Sequence, residues 1–102
     1  MSDVEKELAT LKEEQERNRK RIEILKTKIR AEMMVLDKLL DVEDPNEIRE
    51  SWERLKSYVT GGSEFYPKRV GIIRYLEDLK YIKEKIAALE AIKRSAPGGE
   101  ER

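Results

Sequence analysis

The sequence predicts an all-α fold: one long N-terminal coiled-coil helix followed by two shorter helices, closed into a helical bundle or hairpin and expected to be dimeric. Three observations predict it. Apolar residues recur at alternating spacings of four and three through most of the chain before Pro45, and no glycine or proline interrupts that stretch. In 102 residues, 43% charged against 38% hydrophobic and 6% aromatic leaves too few apolar side chains for a compact sphere. Long helices suit that composition, because each hides a narrow stripe and gives the rest of its surface to Lys, Arg, Glu and Asp.

Helix 1 is expected over residues 3–42. Ser2 can accept from the backbone at Glu5 while the Glu5 side chain reaches back, a reciprocal capping box, and Asp3, Glu5 and Glu7 place negative charge where the helix dipole favours it. Helix 2 is expected over 45–60. Asp44 is its N-cap, Pro45 its first residue and Glu47 its third, Ile48, Trp52, Leu55 and Val59 keep helical spacing, and Thr60-Gly61-Gly62 ends it. The joint between helices 1 and 2 is so short that they must meet at a sharp angle. Residues 61–66, GGSEFY, read as the loop, and Pro67 as the opening of helix 3, expected over 67–94 and broken by Ala96-Pro97-Gly98-Gly99. Residues 1–96 read as one helical domain and residues 97–102 as a flexible tail.

The seam of helix 1 is a heptad. Leu8, Gln15, Ile22, Ile29 and Leu36 take the a positions, and Val4, Leu11, Asn18, Leu25, Glu32 and Leu39 the d positions, with Glu32 the one misfit. After Ile29 the stripe widens through Met33, Met34, Val35 and Leu40, as expected where a helix enters a bundle. Gln15 and Asn18 would each cost about 1–3 kcal/mol if buried unpaired. An antiparallel pair of helices 1 solves this by setting Gln15 against Asn18 of the partner copy, with Ile22 against Leu11 and Leu25 against Leu8. Charge favours that register: residues 1–16 carry six acidic and two basic groups, residues 17–30 seven basic and one acidic. The expected self-association seam is therefore Val4, Leu8, Leu11, Gln15, Asn18, Ile22, Leu25 and Ile29. The competing expectation is that helix 3 of the same chain covers it, through Ile72, Tyr75, Leu76, Leu79, Ile82, Ile86 and Leu89.

Function is constrained mainly by exclusion. Twenty-two basic and twenty-two acidic residues cancel, so charge-driven binding must be local. There is no cysteine for a disulfide, thiolate or thiolate-held metal, and no histidine for general base or ligand roles. The charged opening MSDVEKEL reads as neither signal nor transit peptide, no run is long and apolar enough for a membrane span, and a cytoplasmic location is expected. Dense mixed charge without Cys or His also resembles proteins of hot habitats. Asp41, Glu43, Asp44 and Glu47 lack the spacing of a calcium loop and read as caps and surface charge. No glycine-rich turn opens a helix to cradle phosphate.

Two surfaces are candidates for partners. Residues 17–30, RNRKRIEILKTKIR, hold the densest positive charge, and Arg17, Arg19, Lys20, Arg21 and Lys28 could contact nucleic acid, although Ile22, Leu25 and Ile29 commit one face of the same segment to packing. All six aromatic residues fall between Trp52 and Tyr81. Phe65, Tyr66, Lys68, Arg69 and Arg74 mix rings with cations in a way that can stack bases, but the aromatic residues read chiefly as the core of the corner between helices 2 and 3, with Trp52 at its centre and Phe65 and Tyr66 at a loop tip offered to a protein partner. The reading is a non-enzymatic helical interaction or assembly protein, self-associating through helix 1, with no cofactor, metal or small-molecule substrate. The alternative is a nucleic-acid-binding or regulatory protein using residues 17–30.

Overall fold

The computed structural model describes residues 2–95, and within them every regular element is helical: α1 (Asp3–Val42), α2 (Pro45–Thr60) and α3 (Ile72–Ser95). The expected tail at 97–102 lies outside the described residues. Both ends of α1 are closed by their own side chains and backbone. Ser2 Oγ accepts from the Glu5 N–H at 3.2 Å while Glu5 accepts from the Ser2 N–H at 3.1 Å, the reciprocal box. Glu43 at φ 61° ends the helix in the left-handed region, its N–H donating to the Leu39 carbonyl at 3.0 Å. Asp44 follows directly as the N-cap of α2, its carboxylate accepting from the N–H groups of Asn46 and Glu47 at 2.9 and 3.2 Å. Two residues therefore reverse the chain.

α2 and α3 both run antiparallel to α1, on different halves of it. Ser51 and Arg54 of α2 meet Glu32 of α1, so α2 lies along the C-terminal half. Leu8 and Leu11 pack on Ile82 and Ile86, with Val4 and Leu89 beside them, so α3 lies along the N-terminal half. Together α2 and α3 contain as many residues as α1. They form one return arm, interrupted at residues 61–71. The resulting three-helix molecule measures 69 × 22 × 17 Å, and its two short dimensions fit two adjacent helices of about 10 Å diameter each.

The apolar core follows from this layout and is confined to one half. Leu8, Leu11 and Ile22 of α1 and Leu79, Ile82 and Ile86 of α3 are the buried hydrophobic residues, whereas the buried residues of α2 are Ser51, Glu53 and Ser57. Ion pairs flank the apolar half: Lys12–Glu90 at 3.3 Å, Glu7–Lys85 at 3.8 Å and Glu5–Lys93 at 3.7 Å. The acidic stretch of α1 thus finds its complement on α3 of the same chain. Asn18 does as well, donating from Nδ2 to the Tyr75 carbonyl at 3.2 Å.

Three sequence expectations need correction. Helix 3 does not open at Pro67 but at Ile72, because Ser63 and Tyr66 exchange two backbone hydrogen bonds, at 2.9 and 3.1 Å, and the Gly62 N–H donates to the Arg69 carbonyl at 2.9 Å. Residues 61–71 are thereby an Ω-like loop with touching ends. Trp52 is not the centre of a core: it is 49% exposed, since α2 turns Ser51, the neighbouring residue on the helix, toward α1. The widened stripe of α1 is likewise uncovered at Met33, Met34, Val35 and Leu40, because a single helix shields only a narrow strip of it.

The loop's ends close on glycines. A Cβ at Gly71 would sit 2.3 Å from the Gly61 nitrogen and 2.5 Å from the Val59 carbonyl oxygen, and Gly61 itself has φ +77°. Replacing Gly71 with alanine forces two backbone segments apart. We expect Gly71→Ala to lower stability by about 2–3 kcal/mol in urea unfolding, against less than about 0.5 kcal/mol for Lys68→Ala on the exposed part of the same loop.

Candidate functional site

The most elaborate polar construction lies at mid-rod, where α1, α2 and the loop meet. Its origin is Glu32, the misfit of the expected heptad, which lies in the α1/α2 contact and is 8% exposed. Burial penalises its charge, yet the carboxyl is held below the ordinary carboxylate range because Arg54 and Ser51 outweigh that penalty. Arg54 donates to both carboxylate oxygens, Nε to Oε1 at 3.0 Å and Nη2 to Oε2 at 3.2 Å, and the Ser51 hydroxyl donates to Oε2 at 2.5 Å. The spare Nη1 of Arg54 donates to Glu50 at 3.1 Å. Hydrogen bonding to Glu32 makes the guanidinium harder to deprotonate than usual despite its partial burial, with Tyr66 and Glu50 adding to the effect.

On the outer side of α2 the loop is strapped down. The Glu64 N–H donates to Glu53 Oε1 at 2.9 Å, and Arg69 Nη1 donates to Ser57 Oγ at 3.4 Å. Ser57 is fully buried under this strap and returns its own proton to the Arg54 carbonyl at 2.7 Å. Burial pushes the Glu53 carboxyl up, but its polar surroundings, with Lys56 at 3.4 Å and the Glu64 N–H at 2.9 Å, bring it below the usual range. The buried residues of α2 are polar because they face a carboxylate on one side and a loop backbone on the other.

A second feature runs along one flank of this junction. Each of the four tyrosines carries a cation over its ring: Arg21 at 5.8 Å from Tyr75, Lys28 at 5.7 Å and Arg69 at 5.2 Å from Tyr58, Arg69 at 4.0 Å from Tyr66, and Lys85 at 5.7 Å from Tyr81. The contacts join α1 to α2, α1 to α3 and the loop to α2. Between α1 and α2 a groove of about 250 Å³ is lined by Val35, Leu39, Glu47, Glu50 and Arg54.

The residues singled out from sequence divide among these settings. Of the seam, Leu8, Leu11, Asn18 and Ile22 are buried, and Val4, Gln15, Leu25 and Ile29 are half-buried; Val4, Leu8, Leu11 and Asn18 meet α3 of the same chain. Phe65 is exposed, but Tyr66 is half-buried under Arg69 and does not form a tip with it. Arg17, Arg19, Lys20, Arg21 and Lys28 are all exposed, yet only Arg21 and Lys28 reach the tyrosines. Arg19, Lys20 and Arg21 are successive residues about 100° apart on a helix, so they cannot share a face. Sequence reasoning missed Ser51 and Arg54. Glu32 at a core position was the available signal that a buried donor had to exist.

Among the described residues no group of three or more His, Cys, Asp or Glu side chains is placed to hold a metal ion, and no helix is long and apolar enough to cross a membrane. No protein-family model, no curated protein and no solved structure matches the chain.

The acid limb of stability follows from Glu32. Its pKa is lower folded than unfolded, so the unfolded chain binds more protons, and the stabilisation is present above the ordinary value of 4.5 and is lost as pH falls through the lowered folded value. Glu32→Gln should cost about 2–3 kcal/mol at pH 7 and flatten the fall in stability below pH 4.5, as followed by urea midpoints from neutral to acid pH.

Proposed function

We propose that the chain is a non-enzymatic helical assembly protein that pairs with a second copy of itself. The observation that carries this reading is an uncovered apolar strip on a rod two helices thick. Met33 and Leu40 lie two helical turns apart on α1, each 55% exposed. The antiparallel contact of Glu32 with Ser51 brings Trp52 alongside Met33, so the half-exposed indole extends the same strip. Leu36, Ile48 and Val59 are half-buried beneath it.

Area supports a second copy as the occupant. The chain exposes 7511 Å², whereas a compact protein of 12.0 kDa exposes about 6,000 Å². A standard interface removes about 800 Å² from each partner, which this surplus supplies. Two such hairpins packed face to face make a four-helix layer in which Trp52 is the natural anchor. The α1 seam itself could pair between copies, Gln15 against Asn18, only if α3 left it, since Leu8 and Leu11 already pack on Ile82 and Ile86. Assembly on the Met33–Trp52 flank leaves the intramolecular core in place.

Light scattering should give a mass twice 12.0 kDa at micromolar concentration, and Trp52→Ala should weaken association by about 2 kcal/mol while leaving the helix content unchanged. A mass of 12.0 kDa throughout, or an indifferent Trp52→Ala, removes the proposal. Cysteines at positions 15 and 18 should stay unlinked between copies. An intermolecular 15-to-18 disulfide would instead mean that the seam pairs and α3 is displaced.

A further inference from the structure

We infer that the tyrosine-lined flank, on Arg21, Lys28 and Arg69, binds the phosphate backbone of a single-stranded nucleic acid. The starting point is an uncompensated charge. The acidic residues Glu5 and Glu7 of α1 pair with Lys93 and Lys85 of α3, but the basic stretch 17–30 receives no comparable answer from the return arm. Among the described residues, Arg17, Arg19, Lys20, Arg21, Lys28 and Arg30 form no ion pair, and Lys26 pairs only with Glu23 of its own helix. What the return arm sets against Arg21 and Lys28 is the rings of Tyr75 and Tyr58. A ring orients a cation without neutralising it. In a chain with no net charge, this leaves a local positive field at mid-rod.

Arrangement then favours a strand of nucleic acid over an acidic protein. Arg21 and Lys28 lie two turns apart, about 10 Å along the axis, so both can reach phosphates of one strand. The loop adds Arg69, exposed, whose guanidinium lies 4.0 Å over Tyr66 and 5.2 Å from Tyr58, so a planar cation is held on two rings at the surface. Phe65, 44% exposed, stands next to this stack, and Tyr81, 60% exposed, lies farther along α3 under Lys85. Open rings beside fixed cations suit unpaired bases and have no use for carboxylate side chains. A duplex would hide its bases from them. Of the carboxylates on this side, Asp78 is engaged by Arg74 at 3.4 Å and Glu50 by Arg54 at 3.1 Å.

The inference is independent of self-association, because it uses the flank of α2 that carries Arg54 and Tyr58 and not the one that carries Trp52. The test is fluorescence anisotropy of the full chain with labelled oligouridylate and oligodeoxythymidylate of about 16 nucleotides, at salt from about 50 to 200 mM. Three phosphate contacts predict a log–log salt slope of about −2. Arg21→Gln with Lys28→Gln should weaken binding at least about tenfold and flatten that slope, whereas Arg19→Gln with Lys20→Gln, on other faces of the same helix, should change it less than about twofold. Arg21→Lys with Lys28→Arg should restore binding, and circular dichroism of each variant separates loss of contact from loss of fold. Absence of binding at low salt, equal losses in the two double variants, or tighter binding to a duplex or to polyglutamate than to the single strand overturns the inference.

Discussion

A carboxylate buried in the contact between α1 and α2 organises this molecule. An all-apolar seam along α1 would accept a second helix in several registers one heptad apart, since Leu and Ile layers are nearly interchangeable. Glu32 removes that freedom. Once desolvated it must be met by donors, and Arg54 with Ser51 supplies three hydrogen bonds at one axial position only. With α2 fixed there, its last turn, the strapped loop and the first turn of α3 all have defined positions along α1. The apolar half, Leu8 and Leu11 against Ile82 and Ile86, then closes in the one register that leaves Asn18 satisfied by the Tyr75 carbonyl.

The same constraint explains why the two halves differ chemically. Along α3 burial is apolar and charges sit at the edges. Along α2 it is polar, because Ser51 faces the Glu32 carboxylate, Ser57 lies beneath Arg69, and Glu53 holds the Glu64 backbone. An interface built this way provides position more than it provides hydrophobic free energy, which is why Met33, Leu40 and Trp52 remain outside it. The rod thus has two unlike flanks: an apolar one, which we propose a second copy covers, and one where cations rest on tyrosine rings.

Much of this was legible in the chain. Ser2 with Glu5, and Asp44 with Pro45, marked helix starts by chemistry local to a few residues, and heptad spacing located the inward face of α1, on which even Glu32 lies. What could not be read was the orientation of α2. Ile48, Trp52, Leu55 and Val59 form a sound apolar stripe, but the demand of Glu32 rotates Ser51 and Arg54 inward and leaves the indole at the edge. That demand acts across nineteen residues of sequence. Pro67 misled for a related reason: a proline suits a helix start, yet the Ser63–Tyr66 turn and the Gly61–Gly71 contact hold it in a loop. The tyrosine flank likewise depends on three elements meeting, so the basic block 17–30 did not reveal which of its cations share a side.

If the Glu32–Arg54 pair is what fixes the return arm, its two members must be strongly coupled, and a double-mutant cycle measures this directly. Unfolding free energies of the wild type, Glu32→Leu, Arg54→Leu and the combined variant should show each single change costing about 3 kcal/mol and the pair costing far less than their sum, a coupling of at least about 1.5 kcal/mol. Costs that add to within about 0.5 kcal/mol would mean that the two side chains act independently and that α2 is held in place by something else.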